Sequence, residues 1–294
     1  MGASPDLTGT IYDIGYQGYT GPRLGRRGAI GAIVGSGLRA TFGLGRSGRS
    51  KVIPWGTVVL AALPAGVAIG VRVLVGDLLE LYSYDNYLWG IGALFPIFVA
   101  AQAPELVVND VRHRVLPLYF SRPISRIDYV VAKLVALSLG LLALTLVPLL
   151  LLWLGRILAE DDVVGAIGDE IGAMPAILGN GAMHAVVLAS IALAISSLAG
   201  RRAYAAGAVL ALFLVGSVVS GILQVQGESM ANAAPFLNPL AVLDGTREWL
   251  FGGSVADAPT SVADVPLPLY GVATIVILGL SWAVLAVRYR GMTT

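Results

Sequence analysis

Cysteine is absent from the 294 residues, which removes disulfide frameworks and thiolate metal sites from consideration. Charge is scarce as well: 13% of the residues are Asp, Glu, Lys or Arg, against about 25% in an ordinary soluble domain. A chain with so little polar surface cannot face water on all sides. Histidine occurs twice, and neither an HExxH pattern nor paired carboxylates inside an apolar run suggest a membrane hydrolase. The opening residues, MGASPDLTGT, contain no apolar core and do not read as a secretory signal. What is abundant is apolar length, with 56% hydrophobic residues and a mean hydropathy of +0.80. These runs consume most of the chain and leave no room for a separate soluble catalytic domain.

A helix needs about 20 apolar residues to cross a hydrocarbon layer roughly 30 Å thick, and runs of that length are too long for barrel strands. Six qualify, over residues 52–75, 87–108, 129–154, 177–199, 204–223 and 267–287. The expected fold is therefore all-α and polytopic, with Pro64 and Pro96 kinking the spans that hold them. Of the 19 basic residues, all but Arg72, Arg156 and Arg247 fall on one side of these spans. Basic loops stay in the cytoplasm, so both chain ends are expected there. Asp77, Glu80, Asp85 and the run Glu160, Asp161, Asp162 fall on the other side.

This divides the chain into a cytoplasmic segment over 1–50 and a transmembrane domain over 51–290, with a cytoplasmic loop at 105–128 and an outer loop at 224–266. In the first segment Tyr12, Tyr16 and Tyr19 are followed by an apolar stripe of Ile30, Ile33, Val34, Leu38 and Phe42, flanked by Arg27 and Arg39. That periodicity predicts a basic amphipathic helix at the inner membrane surface. Residues 35–40 and 43–50 imitate a dinucleotide fingerprint and a phosphate loop. Both would need a preceding strand in a βαβ unit, and Arg49 stands where the phosphate-contacting lysine belongs. The outer loop, through Pro239 and residues 241–251, predicts one or two short amphipathic helices dipping into the outer interface.

The 105–128 loop is dense in charge: Glu105, Asn109, Asp110, Arg112, His113 and Arg114, then Arg122, Pro123 and Arg126, with Lys133 following. Topology alone explains basic residues there but not the acid and amide component. On a helix continuing span two, Glu105 and Asn109 share a face. The loop thus reads as a short helical element presenting charged ends to a soluble partner.

Inside the spans ionisable groups are almost missing, and these usually mark ion or proton pathways. His184 is the one candidate and reads as a helix-to-helix hydrogen bonder near the outer end of span four. Ala192, Ser196 and Gly200 repeat small residues at a spacing that permits close helix packing. Phe95, Phe98 and Phe213 could line an apolar path or face lipid. So few charges point away from a proton- or sodium-coupled carrier and toward a hydrophobic or amphipathic cargo.

Three segments in this order resemble the membrane subunits of ABC-2 type transporters. They are the Tyr12-Asp13 to Gly25 leader, the run from Glu105 through Arg122-Pro123-Ile124-Ser125-Arg126 to Lys133, and Leu237-Asn238-Pro239-Leu240 followed by Trp249 to Gly253. The resemblance implies an exporter permease in the plasma (inner) membrane that pairs with a second permease subunit, the same chain or a paralogue. It implies docking of a separate ATP-binding cassette subunit, which carries ATP and Mg, on Glu105, Asn109, Asp110, Arg112, His113, Arg114, Arg122 and Arg126. The chain itself would have no catalytic site and no cofactor, and would contact lipid but no nucleic acid. A carrier or channel independent of ATP, or a membrane enzyme or scaffold, is the alternative.

Overall fold

A computed structural model describes residues 21, 25–76, 81–113, 115–121, 123–253, 255 and 258–291. The Tyr12, Tyr16 and Tyr19 leader, Asp77, Glu80, Arg114 and Arg122 lie outside them. The described residues form twelve helices and no strand: α1 Gly25–Thr41, α2 Arg49–Val75, α3 Tyr87–Gly90, α4 Leu94–Arg112, α5 Leu116–Phe120, α6 Arg126–Leu158, α7 Val163–Glu170, α8 Met174–Leu198, α9 Arg202–Leu223, α10 Glu228–Ala233, α11 Pro239–Phe251 and α12 Pro268–Arg290. Among the described residues six segments are long and apolar enough to cross a membrane: α2, α4, α6, α7 with α8, α9 and α12. The protein is a multi-pass membrane protein of the expected all-α class.

The six segments divide into two groups. Helices α4, α6 and α8 bury most of their residues, whereas α2, α9 and α12 surround them and leave most of their surface outward. Close approach in the centre rests on small side chains, since lipid tails give helices no hydrophobic reason to associate. On α8 the buried small residues include Ala185, Ala189, Ala192 and Ser196. Gly200, expected to continue this series, lies beyond the end of α8 and is exposed.

Span two starts later than its hydropathy suggested. The chain forms the short α3, turns at 91–93, and begins α4 at Leu94. Pro96 therefore falls in the first turn, where its missing N–H bonds nothing, and Pro104 is the interior proline of α4. In α2 Pro64 is interior as expected, and a neighbour repairs the ladder beside it. The Tyr87 hydroxyl donates to Ala61 O at 2.6 Å and accepts from Ala65 N–H at 2.9 Å. Such inserted side chains re-satisfy backbone groups freed by an intramembrane proline.

Ion pairs collect at the two ends of the bundle. One end holds the start of α2, the end of α4, the start of α6, the α8–α9 turn and the end of α12, and is rich in arginine. The opposite end holds α7, α10 and α11. It receives Arg72 paired with Glu160 at 2.8 Å, Arg156 over the Tyr84 ring at 4.4 Å and near Glu170 at 3.9 Å, and Arg247.

Candidate functional site

At the arginine-rich end, α4 and α6 continue as a hairpin joined through α5. Glu105 is 7% exposed within α4, and Arg46 before α2 and Arg202 at the start of α9 both pair with it. Asn109 donates to Glu105 Oε1 at 3.2 Å, the one-face contact that the spacing implied. From this level α4 runs on to Arg112, about 10 Å at 1.5 Å per residue. Along that stretch Asp110 Oδ2 accepts from Lys133 Nζ of α6 at 2.7 Å and from the Tyr129 hydroxyl at 2.8 Å. Lys133 lies over the Tyr129 ring at 5.4 Å, and Tyr129 meets Tyr289 of α12 with ring centroids 5.5 Å apart.

The start of α6 is fixed by its own sequence. Ser125 and Asp128 form a capping box, with Ser125 Oγ accepting from Asp128 N–H and Asp128 accepting from Ser125 N–H. Such a box satisfies two N–H groups that a helix start leaves without partners. Asp128 also accepts two bonds from the Arg26 guanidinium, at 2.9 and 2.8 Å, and thereby pins the first turn of α1. These bonds raise the Arg26 pKa further above its ordinary value. Ile33 of α1 then packs with Ile124 and Ala132 of the hairpin, while Gly37 sits against Ala136 and Thr41 against Gly140. The face α1 buries is therefore Ile33, Gly37 and Thr41. The predicted stripe of Ile30, Val34, Leu38 and Phe42 lies half-buried beside it, with Arg27 and Arg39 exposed.

The predicted coupling residues separate into two sets. Arg112 and His113 are exposed at the hairpin tip, as is Leu118 of α5, at 69%. Glu105 and Asp110 are instead engaged within the protein, by two arginines and by Lys133 with Tyr129 respectively, and Asn109 bonds Glu105. Arg126 lies to the side of the tip, donating to Arg290 O at 2.9 Å with its guanidinium 5.9 Å from the Phe120 ring. Sequence reasoning assigned no role to Arg26, Asp128, Arg46 or Arg202 here. The Ser125-to-Asp128 spacing signals the capping box, but no local pattern links Arg46 or Arg202 to Glu105.

Within the bundle, Phe95, Phe98 and Phe213 belong to the fully buried core, so none faces lipid. His184 lies toward the middle of α8, and its Nδ1 is 3.0 Å from Asn180 O of the same helix. Its bond thus runs within one helix rather than between two, and its ring is tilted against Phe95 at 5.8 Å.

The opposite end holds a second buried ionic group. Asn238 caps α11 by accepting from Leu240 N–H at 3.1 Å. Arg247, 2% exposed, bonds Asp244 at 3.1 Å and the carbonyls of Gly252 and Gly253 at 2.9 and 3.2 Å. Its cation thus closes the negative C-terminal end of its own helix, with Asp85 a further 3.5 Å contact. Thr260 donates to the other Asp244 oxygen at 3.1 Å. Burial nevertheless holds the Asp244 carboxyl above its ordinary range, with Arg247 opposing the shift. Thr246 and Thr274, 2.8 Å apart, tie α11 to α12.

Among the described residues no group of three or more His, Asp or Glu could hold a metal ion. Residues 78–288 match a protein family described as ABC-2 family transporter protein, a span running from just before α3 nearly to the end of α12. No curated protein matches the chain.

Proposed function

Because the chain belongs to the ABC-2 transporter family, and so is a transporter membrane subunit, we propose that it is the permease half of an ATP-driven exporter. The arginine-rich end faces the cytoplasm of a cell whose plasma (inner) membrane the bundle spans, and both termini lie on that side. A separate ATP-binding cassette subunit docks on the hairpin tip and supplies ATP hydrolysis with its Mg. A second permease subunit completes the pathway. The cargo is hydrophobic or amphipathic, in keeping with spans whose cores hold so few charges, and leaves from the cytoplasm or inner leaflet.

The observation that carries this reading is the hairpin itself, which extends past Glu105, is braced internally by Lys133 on Asp110, and reaches neighbouring helices through its other two carboxylates. Arg26–Asp128 and the Ile33 packing join α1 to it, while Glu105 joins it to the starts of α2 and α9. A push on Arg112, His113 and Leu118 is therefore passed to spans on both sides. Phe95, Phe98 and Phe213 enter a pathway in this scheme only when α4 and α9 separate.

The test is a mild-detergent pull-down of the tagged chain from its host, followed by an ATPase assay. A cassette ATPase is expected to co-purify and to be lost from Arg112→Glu with His113→Glu, since both residues are exposed. A chain that purifies alone, and whose transport persists without ATP but collapses with the ion gradient, would establish the carrier reading instead.

A further inference from the structure

Only three described carboxylates lie at the arginine-rich end, and each is already engaged: Glu105 by Arg46 and Arg202, Asp110 by Lys133, and Asp128 by Arg26. Arg126 and Arg290 meet no carboxylate among the described residues. Both are among the residues lining a groove of about 230 Å³ between α6 and α12, at the arginine-rich end of the bundle because Arg126 opens α6 and Arg290 closes α12. The Arg126 guanidinium is held there by its bond to Arg290 O, which occupies one of its nitrogens. Below the two arginines the walls are apolar: Val130 on α6, and Trp282, Leu285 and Ala286 on α12.

A groove between two spanning helices, apolar along its length and cationic at its end, matches a molecule with an acyl tail and an anionic head. Basic pockets between transmembrane helices recognise anionic lipid headgroups in this way. A soluble anion would use the arginines but leave the apolar walls wet. A zwitterionic lipid would use the walls but gain little from two uncompensated cations. We propose that the α6–α12 groove is a binding site for one anionic phospholipid, its phosphate on Arg126 and Arg290 and an acyl chain along Trp282. The site is separate from the coupling tip and requires only that the bundle span a membrane. Because Arg290 ends α12 and Arg126 opens α6, such a lipid would fasten the last span to the hairpin.

Trp282 supplies the readout. The full chain is reconstituted in vesicles holding either phosphatidylglycerol or phosphatidylcholine brominated on the acyl chain, and the quenching lost in Trp282→Phe is taken as the groove signal. The relative association constant should favour the anionic lipid, by about 5-fold for each arginine. Arg126→Gln with Arg290→Gln should abolish that preference while quenching by the zwitterionic lipid persists, which shows that the bundle remains folded. Equal quenching by both lipids in the native chain would overturn the proposal. So would a preference that survives the double substitution. Shielding of Trp282 from both lipids would also overturn it, in favour of a groove covered by a second copy of the chain.

Discussion

The two ends of the bundle handle charge in opposite ways. At the opposite end, cations are few and each has carboxylate company: Arg72 with Glu160, Arg156 beside Glu170, and Arg247 with Asp244 and Asp85. At the arginine-rich end the three described carboxylates are consumed and cations are left over. Arg72, Arg156 and Arg247 are the three basic residues that break the topological rule. They are exceptions in sequence but not in space, because each is partnered where it sits. Among the described residues, the cations without a carboxylate partner, which carry the topological signal, are all at one end.

The comparison breaks most sharply if a partner is removed where burial is deepest. Arg247→Ala should cost about 3–5 kcal/mol, the range for leaving a buried charge uncompensated. Asp244 then loses its cation and the Gly252 and Gly253 carbonyls lose their donor. Thermal unfolding in detergent checks this, and a shift no larger than that of an exposed arginine variant would refute the anchoring role. Lys133→Met should cost somewhat less, about 3 kcal/mol, because Asp110 keeps the Tyr129 hydroxyl. Adding Asp110→Asn should restore part of the loss, a recovery that a purely steric effect of Met would not give.

Ser125→Ala should cost about 1 kcal/mol, the usual value of an N-cap side chain, measured by the same melts. The smallest expected change in melting is for Arg26→Gln, whose side chain is largely exposed. There the effect should be local, with faster amide exchange across the first turns of α1 and little change elsewhere. Protection of α1 that survives this substitution would show that packing of Ile33 alone holds the helix.

Six spans were legible because bilayer thickness imposes a length that hydropathy reports directly. The Glu105–Asn109 contact was legible for the same kind of reason, since helical periodicity puts positions four apart on one face. The late start of span two was not, because Tyr87 to Leu88 is as apolar as the span itself. Only the Tyr87 hydroxyl bridging Ala61 and Ala65 reveals that α3 serves α2. The inward turn of Glu105 was equally hidden, since its partners Arg46 and Arg202 lie 59 residues before it and 97 after it. By contrast Asp244 and Arg247 are three apart on one helix, a spacing that could have been read as a pair. Their role as a buried anchor becomes visible only once α11 packs against α12.

The absence of native cysteine permits one direct test of the two-ended account. His113→Cys and Asp161→Cys, both exposed and at opposite ends, would be treated with a membrane-impermeant maleimide in intact cells and in inverted vesicles. The account predicts labelling of Asp161→Cys only from outside the cell. It predicts labelling of His113→Cys only in inverted vesicles, falling when the cassette ATPase is bound. Labelling of His113→Cys from outside, or labelling that is the same with and without the ATPase, would contradict it.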